Sequence, residues 1–292
     1  MNANDISFGI EIESTIPNTS PVRVGPYHRG TPVAQLPTSP DGEQWKAESD
    51  TSIHPPTGRR GCEFVSPKLQ GEEGLQHAHK TITEIRDDLG AKVNSSCGIH
   101  VTVTFPRNDG PALARLVTFC AHFERGLYAT TGTKRREQGI YCNPNKCHGE
   151  HPVTNKAKAN AYIRHAKRAR FSIVNLTHLA HGRDRVEFRL FSGSVNPDKI
   201  LGWVRLILAI VEFSLNTNRC VSYESRSSDN RWGGEGECSV VGMLCKLGWL
   251  KWTAWGYRGK TYGELETEGT SIPTIDKIVA RLRGLAKKYD AC

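Results

Sequence analysis

Along Ile6-Ser7-Phe8-Gly9-Ile10-Glu11-Ile12-Glu13, apolar residues alternate with Ser7, Gly9, Glu11 and Glu13. This is the period-two pattern of a strand with one buried face. Both carboxylates leave from the same side. Like charges two positions apart on one face repel, so the pattern asks for a compensating cation. Three later stretches repeat it. Ile99, Val101, Val103 and Phe105 leave His100, Thr102 and Thr104 opposite; Val186, Phe188 and Leu190 leave Arg185, Glu187 and Arg189; and Cys62 to Ser66 reads the same way with Glu63 as its polar residue. If the four strands share a sheet, one face is core and the other collects Glu11, Glu13, Glu63, His100, Glu187, Arg185 and Arg189. An antiparallel sheet with one wet face also alternates. A merely wet face is richer in Thr, Ser and Lys, whereas here hard metal ligands and phosphate-pairing arginines recur at the converging positions.

Between these strands the period changes. Leu75, Ala78, Ile82, Ile85 and Leu89 recur at helical spacing from Gly74 to a stop at Gly90. A second helix is predicted from Pro111 to about Tyr128, with Asp109 as cap candidate. Asn196-Pro197 opens a long helix to about Leu215, apolar nearly all round and hence central. Residues 14 to 44 read as one long loop. Trp45 to Ile53 reads as a weaker strand bringing Lys46, Glu48 and Asp50 toward the charged face, and Phe171 to Leu176 as another alternating run. Helices interrupting strands without regular alternation predict an α+β fold with a mainly antiparallel sheet whose apolar side the helices cover. The predicted organisation is a main domain over residues 1–219, with a polar insertion at 129–155, and a helical C-terminal extension over residues 220–292.

A hydrophobic content of 37% with 24% charged residues is that of an ordinary globular protein and excludes bulk disorder. The longest apolar run contains Arg205 and Glu212 and is too short for a membrane span. No basic region followed by an apolar run opens the chain, so the expected location is the cytoplasm, or that of a host cell. Nine scattered cysteines fit free thiols better than a disulfide framework. The net charge of +9 is localised: residues 134 to 189 hold 13 Lys or Arg against 4 Asp or Glu, and the rest of the chain is balanced. Such a segment attracts phosphates, on a nucleotide, a nucleic acid or another acidic substrate.

Within the insertion, Cys142, Cys147, His148 and His151 are the residue types of a zinc site, although their spacing is not that of a standard finger. Free thiols on a loop are the default there. The dispersed set carries the stronger chemistry. Glu11, Glu13, Glu63, Glu187 and His100 suit Mg²⁺ or Mn²⁺, which favour oxygen ligands and tolerate an imidazole. Arg185 and Arg189 beside them suit phosphate, because a guanidinium is always charged and donates in a planar fork. No Gly-x-x-x-x-Gly-Lys-Ser/Thr loop is present, so a P-loop does not hold the nucleotide.

Five blocks in order carry a family resemblance: Phe8 to Glu13; Glu48-Ser49-Asp50 with Ser52-Ile53; Glu63 to Pro67; Asn94 to Val101; and Val186-Glu187-Phe188-Arg189. Together they resemble the putative amidoligase family of the glutamine synthetase-like carboxylate–amine ligases. The resemblance implies an antiparallel sheet curved into a bowl, with helices on its outer face, holding ATP and divalent metals. It implies metal contacts for Glu11, Glu13, Glu63, His100 and Glu187, with Glu13 and His100 also near the nucleotide phosphates. Arg189 is implied as the phosphate-binding arginine, with Arg185 and Arg164 as further phosphate contacts. Glu48 and Asp50, with Lys46 and Asn175, are implied to face the acid or amine substrate.

The implied mechanism is phosphorylation of a substrate carboxylate by ATP and attack of an amine on the acyl phosphate. Arg189 steadies the transferred group, and an acidic group near Asp50 or Glu48 accepts the amine's proton. The acid and amine are small molecules, or groups on a peptide, protein or nucleotide. The alternative is a metal-dependent nucleic-acid-binding or nucleic-acid-processing protein, with bases stacked on the tryptophans near residue 250.

Overall fold

The computed structural model describes residues 1–143, 170–218, 238–253, 256–259 and 272–292. Seven strands form one sheet: β1 (Phe8–Pro17), β2 (Thr31–Pro32), β3 (Lys46–Glu48), β4 (Arg59–Val65), β5 (Gly98–Thr104), β6 (Val174–Asn175) and β7 (Arg185–Ser192). Their order is β2-β3-β4-β1-β5-β7-β6, and every neighbouring pair is antiparallel. β1 lies at the centre because its apolar set is fully buried: Phe8, Ile10 and Ile12 are at most 2% exposed. Across the sheet Ile12 meets Phe64 on one side and Ile99 on the other, so the apolar rows coincide and the polar rows must coincide too. The sheet is curved. Tyr27, on the connection leading to β2 at one edge, accepts a hydrogen bond from the guanidinium of Arg170, just before β6 at the other edge.

The helices are α1 (Gly71–Asp87), α2 (Gly110–His122), α3 (Glu124–Ala129), the single turn α4 (Thr177–Ala180), α5 (Pro197–Asn216), α6 (Val240–Lys246) and α7 (Ile275–Asp290). They cover the apolar face, except for α4, which lies on the charged side. α5 packs against α1, α2, β5 and α7. Its consecutive buried residues Ile200 to Val204 show why its sequence is apolar on all sides. The cap candidates act as expected: Asp109 accepts from the Ala112 N–H at 2.8 Å and Asn196 from the Lys199 N–H at 2.9 Å.

Several elements differ from their sequence expectation. α1 begins at Gly71, a turn before the apolar period becomes readable. The second predicted helix is two, broken at Phe123, whose φ of −97° and ψ of 17° leave the helical region. The long loop is shorter than expected: β1 runs to Pro17, β2 forms an edge, and buried Val22, Val33 and Leu36 pin the rest. The strand expected over Trp45 to Ile53 contracts to β3, because the Asp50 carboxylate accepts the Ser52 N–H at 2.6 Å and closes a turn. The C-terminal part is not wholly helical, since β8 (Leu250–Thr253) and β9 (Gly256–Gly259) form an antiparallel pair. Among the described residues, no helix is long and apolar enough to cross a membrane.

Candidate active site

Register alone assembles the centre. Glu13 of β1 is opposite Glu63 of β4, and Glu63 is opposite Glu48 of β3, so three carboxylates form a row across three strands. All three are buried. One pleat away, Glu11 is opposite His100 of β5. Between β5 and β7 the register shifts at Ile99/Val101, a bulge that leaves His100 unmatched in the ladder and facing both Glu187 and Glu11. The His100 Nδ1 is 3.0 Å from Glu11 Oε2 and 3.7 Å from Glu187 Oε1, and its Nε2 is 3.6 Å from Glu13 Oε1. The far-apart acids of the sequence therefore meet around one buried imidazole.

Two three-residue sets have ligand atoms within 4.8 Å of one another: Glu11, His100 and Glu187, and Glu13, Glu63 and His100. Their electrostatics fit a cation. Burial, reinforced by Glu11, Glu13, Asp50 and Glu48, pushes the Glu63 carboxyl up to about 10. Burial also raises Glu11, against the pull of Arg189 and His178. Burial with the neighbouring Arg189 drives His100 down to about 4, leaving it a neutral imidazole with a lone pair to give. Carboxylates that resist ionising together, beside a neutral histidine, are what a bound divalent cation would stabilise.

The β7 side supplies the opposite charge. Arg189 donates to Glu187, the Asn175 Nδ2 donates to Glu187 Oε2 at 2.6 Å, and the His178 Nε2 lies 4.0 Å from that oxygen. Half-buried Arg136 donates to the Arg189 carbonyl and lies against Gly98, where an added Cβ would stand 2.9 Å from its guanidinium. The Gly98 N–H in turn donates to Glu13. The Nε atoms of Arg136, Arg185 and Arg189 are buried without a hydrogen-bond partner, so three guanidinium N–H groups around the site are left unsatisfied. A cavity of about 980 Å³ opens over this surface, lined among others by Glu11, His28, Lys68, Thr102, His178, Arg185, Glu187 and Arg189. It is large enough for a nucleotide and part of a second ligand.

The family model described as "Putative amidoligase enzyme" matches residues 4–211. The chain belongs to this amidoligase family. It is thus a carboxylate–amine ligase by family. It is also similar to solved structures: a GmaS/ADP complex, with 14% identity, 97% of this chain and 68% of that chain covered and a TM-score of 0.42, and the glutamine synthetase of Plasmodium falciparum, with 11% identity, 96% and 67% covered and a TM-score of 0.39. No curated protein matches the chain.

Of the residues singled out in the amidoligase sequence, Glu11, Glu13, Glu63, His100, Glu187, Arg189 and Asn175 come together, with Glu48 at the end of their row and Arg185 on the cavity wall. Lys46 is exposed on β3, and Asp50 is occupied in its own turn. Arg164, Cys147, His148 and His151 lie outside the described residues. Cys142 is buried, and burial lifts its thiol to about 11. His28, His178 and Arg136 were not anticipated. The first two sit in irregular segments with no period to mark a facing side, and Arg136 is indistinguishable in sequence from its neighbours Lys134 and Arg135.

Proposed function

We propose that the enzyme uses ATP and a pair of divalent cations, Mg²⁺ or Mn²⁺, to join a carboxylic acid to an amine through an acyl phosphate. The observation that carries this reading is the shared imidazole. His100 stands at the junction of two ligand sets, one of which ends on the Glu187–Arg189 pair with its unsatisfied Nε–H. Glu11, Glu187 and the lone-pair nitrogen of His100 would hold one cation, and Glu13 and Glu63 the other, with the N–H of the same imidazole turned toward Glu13.

Bound there, the cations would screen the polyphosphate from the incoming carboxylate. A free carboxylate is a poor electrophile, being anionic with no good leaving group, and phosphorylation cures both. Arg189 is held by Glu187 with its Nε–H free, and a donor fixed in this way stabilises charge growing on the transferred phosphoryl. Arg185, with Lys68 and Arg170 on the same cavity wall, meets the remaining phosphates. Glu48 faces the acceptor.

The acid and amine are small molecules or groups on a peptide, protein or nucleotide. The nucleic-acid alternative gains no support from the described residues: Trp249 is buried at 6% exposure, and the side chains of Trp252 and Trp255 are not among those described.

The test is Mg-ATP with a panel of carboxylic acids and hydroxylamine as a general nucleophile. The expected result is hydroxamate and ADP in equal amounts from at least one acid. No ADP from any acid, with Mg²⁺ or Mn²⁺, would refute the reading. Mass spectrometry over amino acids, polyamines and modified nucleotides would then identify a product lighter by one water than its parts.

A further inference from the structure

Among residues with ordinary side chains in the described chain, His28 alone has a positive φ, at 57°. Positive φ is uncommon in L-residues, although Asn, Asp and His adopt it more readily than the rest, and residues held there recur at working sites. The loop that holds it is built around Glu48. The His28 N–H donates to Glu48 Oε1 at 3.2 Å, and an added Cβ on Gly30 would stand 3.1 Å from Glu48 Oε2, so the carboxylate occupies the inside of the turn. Gly25 closes the base of the loop, where a Cβ would meet the Arg29 carbonyl at 2.4 Å. The ring lies against Tyr27, centroids 3.7 Å apart and planes tilted by 38°, and Tyr27 accepts a hydrogen bond from Arg170.

These constraints aim the imidazole. Its Nδ1 faces Glu48 Oε1 at 3.8 Å, the ring lines the cavity, and its field reaches Glu11. The Nε2 is the nitrogen left to meet a ligand, and a side chain 65% exposed can exchange a proton with water. Asp50, the acid expected near the acceptor, gives one carboxylate oxygen to the Ser52 N–H, while its charge bears on Glu63.

Resting on the amide-forming reading above, we propose that His28, oriented by Glu48, is the base that deprotonates the attacking amine. A primary amine arrives as an ammonium, which has no lone pair to attack with. His28 Nε2 takes one proton from it, and Glu48 steadies the resulting imidazolium through Nδ1–H. The freed amine forms the C–N bond. The C–O bond of the acyl phosphate breaks, and phosphate leaves with the electron pair and the second amine proton as hydrogen phosphate. His28 returns its proton to solvent.

The test is His28→Asn, which keeps a side chain tolerant of the left-handed backbone while removing the base. Each enzyme is assayed with Mg-ATP and the acid panel, once with hydroxylamine, which is uncharged at neutral pH, and once with ammonia and primary alkylamines. The expected result is an amide rate lower by about 100-fold or more with the hydroxamate rate retained. A residue serving only the loop's structure would depress both. Equal losses in both assays, an unaffected amide rate, or a wild type that yields hydroxamate but no amide would each overturn the assignment. A wild type that yields neither would overturn instead the ligase reading beneath it.

Discussion

Glu13 and Glu63 face each other directly across β1 and β4, both buried. Such an arrangement costs stability whenever both are ionised, and it makes the metal-free protein sensitive to pH. Glu63 is raised from 4.5 to about 10, so the folded state keeps a proton that the unfolded chain releases, and stability is lost as pH rises through that window. His100 is lowered from 6.5 to about 4, so its contribution is present above 6.5 and lost as pH falls toward 4. The two oppose one another below 6.5. The net expectation for the metal-free protein is a melting temperature that falls from about pH 6.5 to pH 9, a fall that Glu63→Gln flattens and saturating Mn²⁺ removes. Differential scanning calorimetry across that range is the check.

Arg189→Gln keeps a hydrogen-bonding group beside Glu187 but removes the charge meant for the transferred phosphoryl. The expected loss is about 100- to 1000-fold in kcat, with nucleotide affinity reduced far less. Steady-state kinetics of ADP release read both.

Asn175 donates to Glu187 at 2.6 Å. Asn175→Ala frees that carboxylate to turn, and the expectation is a loss of about 10- to 100-fold in Mn²⁺ affinity without loss of fold. Isothermal titration with Mn²⁺ measures it, with circular dichroism as the control on folding.

The two faces of β1 are expected to respond in opposite ways. Ile12 is fully buried between Phe64 and Ile99, and Ile12→Ala should cost about 2–5 kcal/mol. Its neighbour Glu11 carries a carboxyl raised by burial, so Glu11→Gln should leave the metal-free protein as stable or more so while abolishing ATP turnover. Denaturant titration of both variants separates folding from function.

The centre was legible because a strand converts position into direction. Once Ile10 and Ile12 are assigned to the core, Glu11 and Glu13 have one place to point, and the same holds for His100 and Glu187. The limits of that logic are equally local. The break at Phe123 has no Pro or Gly to announce it. The contraction of β3 depends on an Asp50 turn that competes with strand pairing. The β8–β9 hairpin is hidden in a tryptophan-rich stretch whose period is ambiguous. His28 depends on a loop wrapped around Glu48, a relationship between distant positions with no local pattern, and His178 on a single helical turn.

The central claim is that two cation sites meet at His100, which ligates one and orients a carboxylate of the other. Electron paramagnetic resonance of Mn²⁺ titrated into the protein with a non-hydrolysable ATP analogue counts them. Two ions per chain are expected in the wild type, with one lost in Glu187→Gln, the other in Glu63→Gln, and both weakened in His100→Ala. A wild type that binds no Mn²⁺, or a stoichiometry that His100→Ala leaves untouched, would contradict the account.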